Sequence, residues 1–276
     1  MFKHQHKNKQ NELILKEKIR SYTSIPLANL SDSERQWTNN RNLLINSMRS
    51  ENIGDFLNWK IISDTMFFKA RKEELNFLQK RDDWHLWEKS LKESTIGHPK
   101  KYHLMKSSSG NLIHQGYSLS QFFNNISDIK DVDSILEIGG GYGCMCRLVH
   151  KLGFSGSYTI LDLPEFSLLT EYYIKSTMED TSRIKFINEI DGLVNNKPNL
   201  LVALWSLSET KISFRNQLLS QIRPDNFLMA YQYKFGEVDN LEYFKKIKRV
   251  FSSHSWNDYE IPVFKEGQSR YVLGKS

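Results

Sequence analysis

The sequence predicts an α/β fold in which a doubly wound, Rossmann-like sheet of seven strands follows a helical N-terminal region. Three observations predict this class. From residue 132 onward, short apolar segments typical of buried parallel strands alternate with amphipathic helical segments. The glycine-rich turn Gly139–Gly143 directly follows the first strand, where open α/β sheets bind ligands. The last two predicted strands have no helix between them, so the sheet ends in an antiparallel hairpin.

The first part of the chain has helical periodicity and hardly any glycine. Residues 1–12 are polar and basic, and we expect them to form a disordered tail. The predicted helices cover 11–20, a segment from Ser33 through Met48, 56–68, and one long amphipathic helix over 75–91. We therefore divide the chain into a tail (1–12), a helical N-terminal region (13–120) and an α/β domain (121–276).

Residues 96–120 combine turn-forming sequences with an unusual density of ring side chains. Because the segments 96–99 and 107–110 are rich in serine, glycine and proline, we interpret these two segments as loops. The rings in residues 96–120 are His98, Tyr102, His103, His114 and Tyr117. For His103 we favour a packing role, whereas for His114 and Tyr117 packing and functional roles both stay open.

The α/β half alternates regularly between strands and helices. The predicted strands are 134–138, 158–163, 184–187, 200–205, 227–233 and the hairpin strands 256–264 and 269–273, joined around Glu266-Gly267. Helix boundaries have recognisable residues. Gly153 is placed to end the first helix, Pro164 to begin the second, and Asp239 with Glu242 to form a capping box on the last.

The spacing of the glycine turn distinguishes between nucleotide-type ligands. A dinucleotide-binding G-x-G-x-x-G would need a third glycine where this chain has Cys144 or Cys146. A phosphate-binding loop would continue with Gly-Lys-Ser/Thr, which this sequence lacks. Instead, the chain has an acid, Glu137, and then glycines at every second position from 139 to 143. A carboxylate at this place suits a ligand that carries an ammonium and a sulfonium group.

This acid-x-Gly-x-Gly-x-Gly pattern resembles the first motif of class I S-adenosylmethionine-dependent methyltransferases. The resemblance implies the class I methyltransferase sheet, S-adenosylmethionine as the cofactor and S-adenosylhomocysteine as its product. In that family the turn passes under the methionine part of the cofactor. Residues expected to bind it are Glu137, Gly139, Gly140, Gly141, Tyr142, Gly143, Asp162, Leu163, Asn188, Glu189, Trp205 and Ser206.

These expectations follow from the ends of the predicted strands. Asp162 ends the second strand, where an acid can accept hydrogen bonds from both ribose hydroxyls, and its alternative role is that of an acid flanking a helix. Asn188 and Glu189 follow the third strand and are candidates for the adenine edge. Trp205 and Ser206 stand at the end of the fourth strand, and the segment from Trp205 to Thr210 faces the transferring methyl group in this family.

The absence of two sequence patterns narrows the chemical class of the methyl acceptor. No Asp/Asn-Pro-Pro-Tyr, which positions planar amines in several methyltransferases, follows the fourth strand. No Asp-Asp pair stands where metal-dependent O-methyltransferases bind magnesium, so we expect no metal. The acceptor is therefore expected to be a hydroxyl group that is activated by a base.

A narrower resemblance is to a bacterial family of sugar O-methyltransferases associated with surface-polysaccharide gene clusters. The similar segments lie between about 96 and 240, at 96–99, 111–117, 136–143, 161–165 and 207–209. The resemblance implies a sugar, nucleotide-sugar or glycan acceptor. The helical N-terminal region is not part of this narrower resemblance; from the resemblance to methyltransferases in general we expect it to form a substrate lid or a homodimer surface.

Candidate catalytic and acceptor-binding residues follow from this resemblance. His114 is the favoured general base, and Glu209 either orients it or binds neighbouring hydroxyls. His98 and Glu209 are the fallback bases, although an acid at Glu209 also suits a helix N-terminus for electrostatic reasons alone. Tyr117, Trp205 and Gln232 are expected to line the acceptor pocket.

Composition is that of an ordinary globular protein, with 276 residues and a formal charge of +6. No apolar run is long enough to cross a membrane, the start lacks the apolar core of a signal peptide, and there are only two cysteines, so we expect a cytoplasmic protein. The basic charge leaves an RNA methyltransferase as an alternative. We do not favour nucleic acid, because the basic residues are not interleaved with aromatic ones. A methyltransferase-like binding protein without activity is the third alternative.

Overall fold

The computed structural model describes residues 2–193, 197–264 and 268–276, and the first 125 residues are mainly helical. The elements are α1 (Phe2–Arg20), α2 (Asp32–Ser50), a 3-10 helix (Ile53–Asn58), α3 (Lys60–Thr65), α4 (Lys72–Gln79), α5 (Trp84–Ser90), a hairpin of β1 (Lys101–Tyr102) and β2 (Met105–Ser109), and α6 (Gly110–Asn125). Among the residues described, no helix combines the length and apolar character that a bilayer crossing requires.

The predicted disordered tail is wrong for residues 2–12, which belong to α1. The apolar residues Leu15 and Ile19 of this helix are buried. The Nζ atom of Lys7 donates a hydrogen bond to the carbonyl oxygen of Met178, 2.9 Å away. Tertiary contacts therefore stabilise a segment whose own composition favours disorder.

Two predicted helices are each divided in the structure. The amphipathic stretch over 75–91 forms α4 and α5, with a turn between them. In that turn Arg81 pairs with Asp83 at 2.8 Å, and Asp83 also accepts a hydrogen bond from Trp87 Nε1 at 3.1 Å. These local bonds compete with continued helix. The predicted helix over 56–68 is likewise divided into the end of the 3-10 helix and α3.

The loop predicted for residues 107–110 is wrong, because these residues end β2 and begin α6. The side chain of Ser109 accepts a hydrogen bond from the backbone N–H of Leu112 at 3.1 Å, so this serine caps the helix. Apolar residues such as Leu119 and Phe122 are buried along it. A serine-rich run that suggests a loop thus ends a strand and caps a buried helix.

The α/β half follows the predicted alternation. Its elements are a 3-10 turn (Ile129–Asp131), β3 (Ser134–Ile138), α7 (Cys144–Lys151), β4 (Ser157–Leu161), α8 (Pro164–Thr177), β5 (Ile184–Ile187), a 3-10 turn (Ile190–Leu193), β6 (Leu200–Leu204), a 3-10 turn (Ser206–Glu209), α9 (Ile212–Gln221), β7 (Asn226–Gln232), a hairpin of β8 (Lys234–Phe235) and β9 (Val238–Asp239), α10 (Asn240–Val250), β10 (Ser255–Glu260) and β11 (Ser269–Lys275).

Seven of these strands form one sheet in the order β10-β11-β7-β6-β3-β4-β5. The five strands from β3 to β7 are parallel to one another, and β11 lies antiparallel between β7 and β10. This arrangement confirms the predicted class I methyltransferase sheet with its terminal hairpin. The predicted turn at Glu266-Gly267 lies outside the described residues.

The helix boundaries of this half agree with the sequence. Pro164 is the first residue of α8, and Gly153 follows α7 with φ of +104°. Asp239 caps α10 by accepting a hydrogen bond from the N–H of Glu242 at 3.3 Å. Local chemistry is therefore sufficient to place these ends.

Two apolar cores cover the two faces of the sheet. Successive strand residues point to opposite faces, so Leu200 packs with the N-terminal helices, α7 and α8, whereas Leu201 packs with α9 and α10. The N-terminal region thus extends one of the two cores of the α/β half. This packing holds α2, α3 and α6 beside the carboxyl ends of the strands.

Candidate active site

Two adjoining cavities lie at the carboxyl ends of β3, β4 and β6, the place where open α/β sheets bind ligands. Their volumes are about 380 Å³ and about 300 Å³, and we call them the larger and the smaller cavity. Five residues line both of them: Trp37, Gly139, Asp162, Ser206 and Glu209. An elongated ligand could therefore extend from one cavity into the other.

The glycine turn forms the floor of the larger cavity and requires glycine for steric reasons. Gly139 has φ of +70°, and a Cβ atom there would lie 2.4 Å from the Cβ of Ser206. Thr170 of α8 donates a hydrogen bond to the carbonyl oxygen of Gly141 at 2.5 Å. The turn is thus held from behind, while its backbone is left accessible to a ligand.

Glu137 is buried at the end of β3, next to the turn. Its Oε2 atom accepts a hydrogen bond from the hydroxyl of Tyr158 at 2.8 Å. Burial raises the pKa of Glu137 to about 7, and the hydrogen bond from Tyr158 opposes this only in part. A buried carboxyl of this kind gains free energy when a cation binds beside it.

Asp162 follows β4 and lines both cavities. Its carboxylate accepts hydrogen bonds from the backbone N–H groups of Leu163 at 2.7 Å and Gly141 at 3.2 Å. Desolvation by burial raises the pKa of Asp162 to about 7, although these hydrogen bonds lower it in part. Asn188 donates to the carbonyl oxygen of Asp162 at 3.0 Å and lines the smaller cavity. Glu189 is exposed and is not part of either wall.

Glu209 lies where the two cavities meet. Its Oε1 atom accepts a hydrogen bond from Gln232 Nε2 at 3.1 Å, and Gln232 Oε1 accepts one from the hydroxyl of Ser208 at 2.7 Å. The orientation of the Gln232 amide is therefore fixed. Burial raises the pKa of Glu209 to about 7, although the hydrogen bonds from Gln232 and Trp37 lower it.

The expectation that His114 reaches the acceptor is contradicted by a stack of rings. Phe68 stacks on His114 with ring centroids 4.3 Å apart, and it also stacks on Trp205 with centroids 5.5 Å apart. Phe68 and Trp205 line the larger cavity, whereas His114 does not. The Nδ1 atom of His114 is bonded to Glu74 at 2.6 Å, and both side chains are 1% exposed. The buried pair is an internal contact between α4 and α6.

Two further predicted site residues also lie away from the cavities. Tyr117 is buried and packs edge-to-face on Phe77, with centroids 5.2 Å apart, so it belongs to the core rather than to an acceptor pocket. His98 is exposed and bonded to Asp55 at 2.5 Å, and it lines neither cavity. An exposed loop provides no desolvated environment for a catalytic base.

Several cavity residues from the N-terminal region were missed in the sequence. They are Trp37, Asp64, Thr65, Met66, Phe68, Asn111 and Gln115. Asn111 links two walls, because it accepts a hydrogen bond from the N–H of Phe68 and donates one to the hydroxyl of Tyr142, both at 3.0 Å. Asn111 and Gln115 are four residues apart and therefore lie on one face of α6. This spacing could have indicated them as cavity residues only if Ser109 had been recognised as the helix cap.

The wall of the larger cavity is acidic. Its charged side chains among the described residues are Asp64, Glu137, Asp162 and Glu209, and none of the described lining residues is lysine or arginine. Aromatic rings of Trp37, Phe68 and Trp205 lie between these carboxyl groups. Such a wall suits a cationic group together with neutral hydroxyl-bearing surfaces.

No protein-family model matches the sequence, and no curated protein matches it. Solved structures with detectable similarity include the methyltransferase domain of the bacterial protein CtHen1, with 11% identity over 60% of this chain and 100% of that chain and a TM-score of 0.47.

Two other solved structures cover more of this chain. An O-methyltransferase family protein from Burkholderia thailandensis is 10% identical over 82% of this chain and 73% of that chain, with a TM-score of 0.45. Magnesium protoporphyrin IX methyltransferase from Synechocystis PCC 6803 is 10% identical over 76% of this chain and 100% of that chain, with a TM-score of 0.44. The fold of this chain is assigned from its own strand order and register.

Proposed function

We propose that this chain is an S-adenosylmethionine-dependent O-methyltransferase that methylates a sugar hydroxyl, with a role in bacterial surface-polysaccharide synthesis. The observation that carries the proposal is the position of Glu209, a carboxyl with a pKa of about 7 at the junction of the two cavities. The smaller cavity and the part of the larger cavity beside Glu137 have the features of a cofactor site, and the rest of the larger cavity offers room for an acceptor.

The residues present fit the cofactor. Glu137 is a buried carboxyl suited to an ammonium group, and Asp162 is suited to a pair of ribose hydroxyls. Leu163, Asn188 and Phe214 give the smaller cavity apolar and amide surface for a purine ring. When bound, S-adenosylmethionine supplies an electrophilic methyl group on a sulfonium. The turn at Gly139 leaves space that a Cβ atom would fill.

Glu209 replaces His114 as the proposed base, because it lies in both cavity walls while His114 is shielded by Phe68. A carboxyl that titrates near neutral pH is ionised in a large fraction of molecules and can accept a proton from a hydroxyl as the new bond forms. Gln232 and Trp37 donate hydrogen bonds to this carboxylate and so orient it at the junction of the two cavities.

The acceptor is proposed to present a neutral sugar to the cavity. Aromatic faces of Trp37 and Trp205 suit the apolar faces of a sugar ring, and Gln115 and Gln232 offer amides to its hydroxyls. The acidic wall disfavours a polyanion such as RNA. It also implies that the diphosphate of a nucleotide sugar would remain outside the cavity.

The proposal is tested by incubating the protein with methyl-labelled S-adenosylmethionine and candidate glycans, with mass spectrometry to detect the gain of one methyl group. Glu209→Gln should reduce turnover by about 10²- to 10⁴-fold, the usual contribution of a general base. Its calorimetric affinity for S-adenosylhomocysteine should stay nearly unchanged. Glu189→Gln, at an exposed glutamate outside both walls, is the matched control and should retain full turnover.

Two outcomes would contradict the proposal. If S-adenosylhomocysteine does not bind in calorimetry, the assignment of the cofactor is wrong. If His114→Ala abolishes methyl transfer while Glu209→Gln does not, the base is His114 and Phe68 must move during the reaction.

A further inference from the structure

Arg215 of α9 is a fully buried arginine that holds the segment containing Glu209. Its side chain is 0% exposed. Its Nε atom donates to the carbonyl oxygen of Thr210 at 2.9 Å, and one terminal nitrogen donates to the carbonyl oxygen of Ser208 at 2.7 Å. These two carbonyl groups belong to the residues on either side of Glu209. The planar guanidinium thus fixes the backbone from which that side chain extends.

Asn240, the first residue of α10, completes this arrangement and is also 0% exposed. Its Oδ1 atom accepts a hydrogen bond from the second terminal nitrogen of Arg215 at 2.7 Å. Its Nδ2 atom donates to the carbonyl oxygens of Ser208 at 3.1 Å and Gln232 at 2.8 Å. Gln232 is in turn the hydrogen-bond donor to Glu209. Both the backbone of Glu209 and its amide partner are therefore held by the same pair.

Neutral side chains could hold the backbone around Glu209 in the same geometry, but the Arg215–Asn240 pair includes a buried cation. Within the described part of the chain no carboxylate is hydrogen-bonded to Arg215, and its closest electrostatic support is the ring of Tyr243, 4.8 Å from Cζ. Desolvation lowers the pKa of Arg215 to about 10. Burying a charge costs free energy, and this cost has an explanation if the charge acts on a nearby group.

We propose that Arg215 and Asn240 are positioning residues for the reaction: they hold Glu209 in line with the junction of the cavities, and the charge of Arg215 favours the ionised form of Glu209. Neither residue lines a cavity, so both act through Glu209 and Gln232. The inference rests on the proposed role of Glu209 as the base.

Other charged groups near Glu209 are accounted for. Glu34 and Lys211 line the smaller cavity and pair with each other, so their fields largely cancel. Asp162 lies across the same cavity and opposes ionisation of Glu209 when it is itself ionised. Arg215 is thus the cation whose charge is left without a paired carboxylate among the described groups around Glu209.

The experiment compares three variants of the full chain. Arg215→Met removes the charge and the three hydrogen bonds, whereas Arg215→Lys retains the charge. Asn240→Asp has nearly the same shape, removes both amide donations and places an anion beside Arg215. Arg147→Met is the matched control, because Arg147 is another buried arginine, whose terminal nitrogen donates to Lys92 O at 2.8 Å.

Two measurements are made on each variant. The titration midpoint of Glu209 is obtained by infrared difference spectroscopy, with Glu209→Gln as the reference. Turnover against pH is measured with the acceptor identified in the glycan screen. The first measurement needs no acceptor, and calorimetry reports cofactor binding separately, so failure of the proposed function is distinguishable from failure of this inference.

We expect Arg215→Met and Asn240→Asp to raise the midpoint of Glu209 by roughly one pH unit, since each removes or cancels a nearby positive charge. Turnover should fall by about 10²-fold through loss of alignment, while affinity for S-adenosylhomocysteine changes little. Arg215→Lys should restore the midpoint but only part of the turnover. Arg147→Met should lower stability without moving the midpoint.

The inference is overturned if Glu209 titrates as in the wild type in both Arg215→Met and Asn240→Asp. It is also overturned if Arg147→Met moves the midpoint as far as these variants do, because the effect would then be general loosening. If Arg215→Met does not fold, the nearly isosteric Asn240→Asp decides the question.

Discussion

The pH dependence of cofactor binding gives a quantitative test of the site, with Glu137 as the group that titrates. Burial raises the pKa of this carboxyl to about 7, well above its ordinary value. It is therefore mainly protonated at pH 6 and mainly ionised at pH 7.5. Only the ionised form attracts the ammonium group of the proposed cofactor, so its affinity should increase as the pH rises through this range.

The magnitude follows from the ionised fraction. For a pKa of about 7, the fraction ionised is about 0.09 at pH 6 and about 0.76 at pH 7.5, which predicts an approximately eightfold gain in affinity from this carboxyl alone. The pKa of Asp162 is also raised to about 7. If S-adenosylhomocysteine binds to the ionised form of Asp162, this carboxyl adds to the gain in affinity. Binding at pH 7 should release about half a proton for each such carboxyl.

Isothermal titration calorimetry with S-adenosylhomocysteine measures both quantities, when it is repeated in two buffers of different ionisation enthalpy. Glu137→Gln should bind weakly at either pH and should lose that share of the pH dependence. Tyr158→Phe removes the hydrogen bond that stabilises ionised Glu137, so the midpoint of the affinity profile should move to higher pH. Affinity that is constant from pH 6 to 7.5, with no proton release, would refute the assignment of Glu137.

Two further predictions concern sterics and burial. Gly139→Ala should abolish binding of S-adenosylhomocysteine in calorimetry, because the added Cβ would lie 2.4 Å from Ser206. In Gly141→Ala the nearest neighbour of the added Cβ is 3.7 Å away, so the cost should be limited to about 1–2 kcal/mol of strain from the left-handed backbone. Equal loss in both variants would contradict the steric argument. His114→Ala should lower the free energy of unfolding in urea by about 3–5 kcal/mol, because it leaves buried Glu74 without its partner. Unchanged stability would show that the pair contributes little.

Most of the α/β half could be predicted because its signals are local. Pro164 and Asp239 begin helices through their own backbone and side-chain chemistry, and the apolar run at Leu200–Leu204 forms a strand between two buried faces. The glycine turn is also local, since left-handed φ angles and a close approach to Ser206 both require glycine. Glu137 lies near the end of β3, and Asp162 and Glu209 follow β4 and β6; parallel strands bring their carboxyl ends to one edge of the sheet.

The N-terminal contribution to the site depends on packing that no local pattern contains. His114 and Asn111 lie in the same turn of α6, and only the contact of this helix with α4 decides that His114 faces Glu74 while Asn111 faces the cavity. The same holds for Phe68, whose ring separates His114 from the larger cavity.

The sequence by itself determined the sheet, the glycine turn and the acids at the strand ends, because backbone geometry and alternation act over a few residues. The tertiary structure alone decided which rings reach the cavity, and it placed Arg215 and Asn240 around Glu209. The physical reason is that burial and side-chain direction depend on contacts between elements distant in the chain, and these contacts form only when the whole core packs.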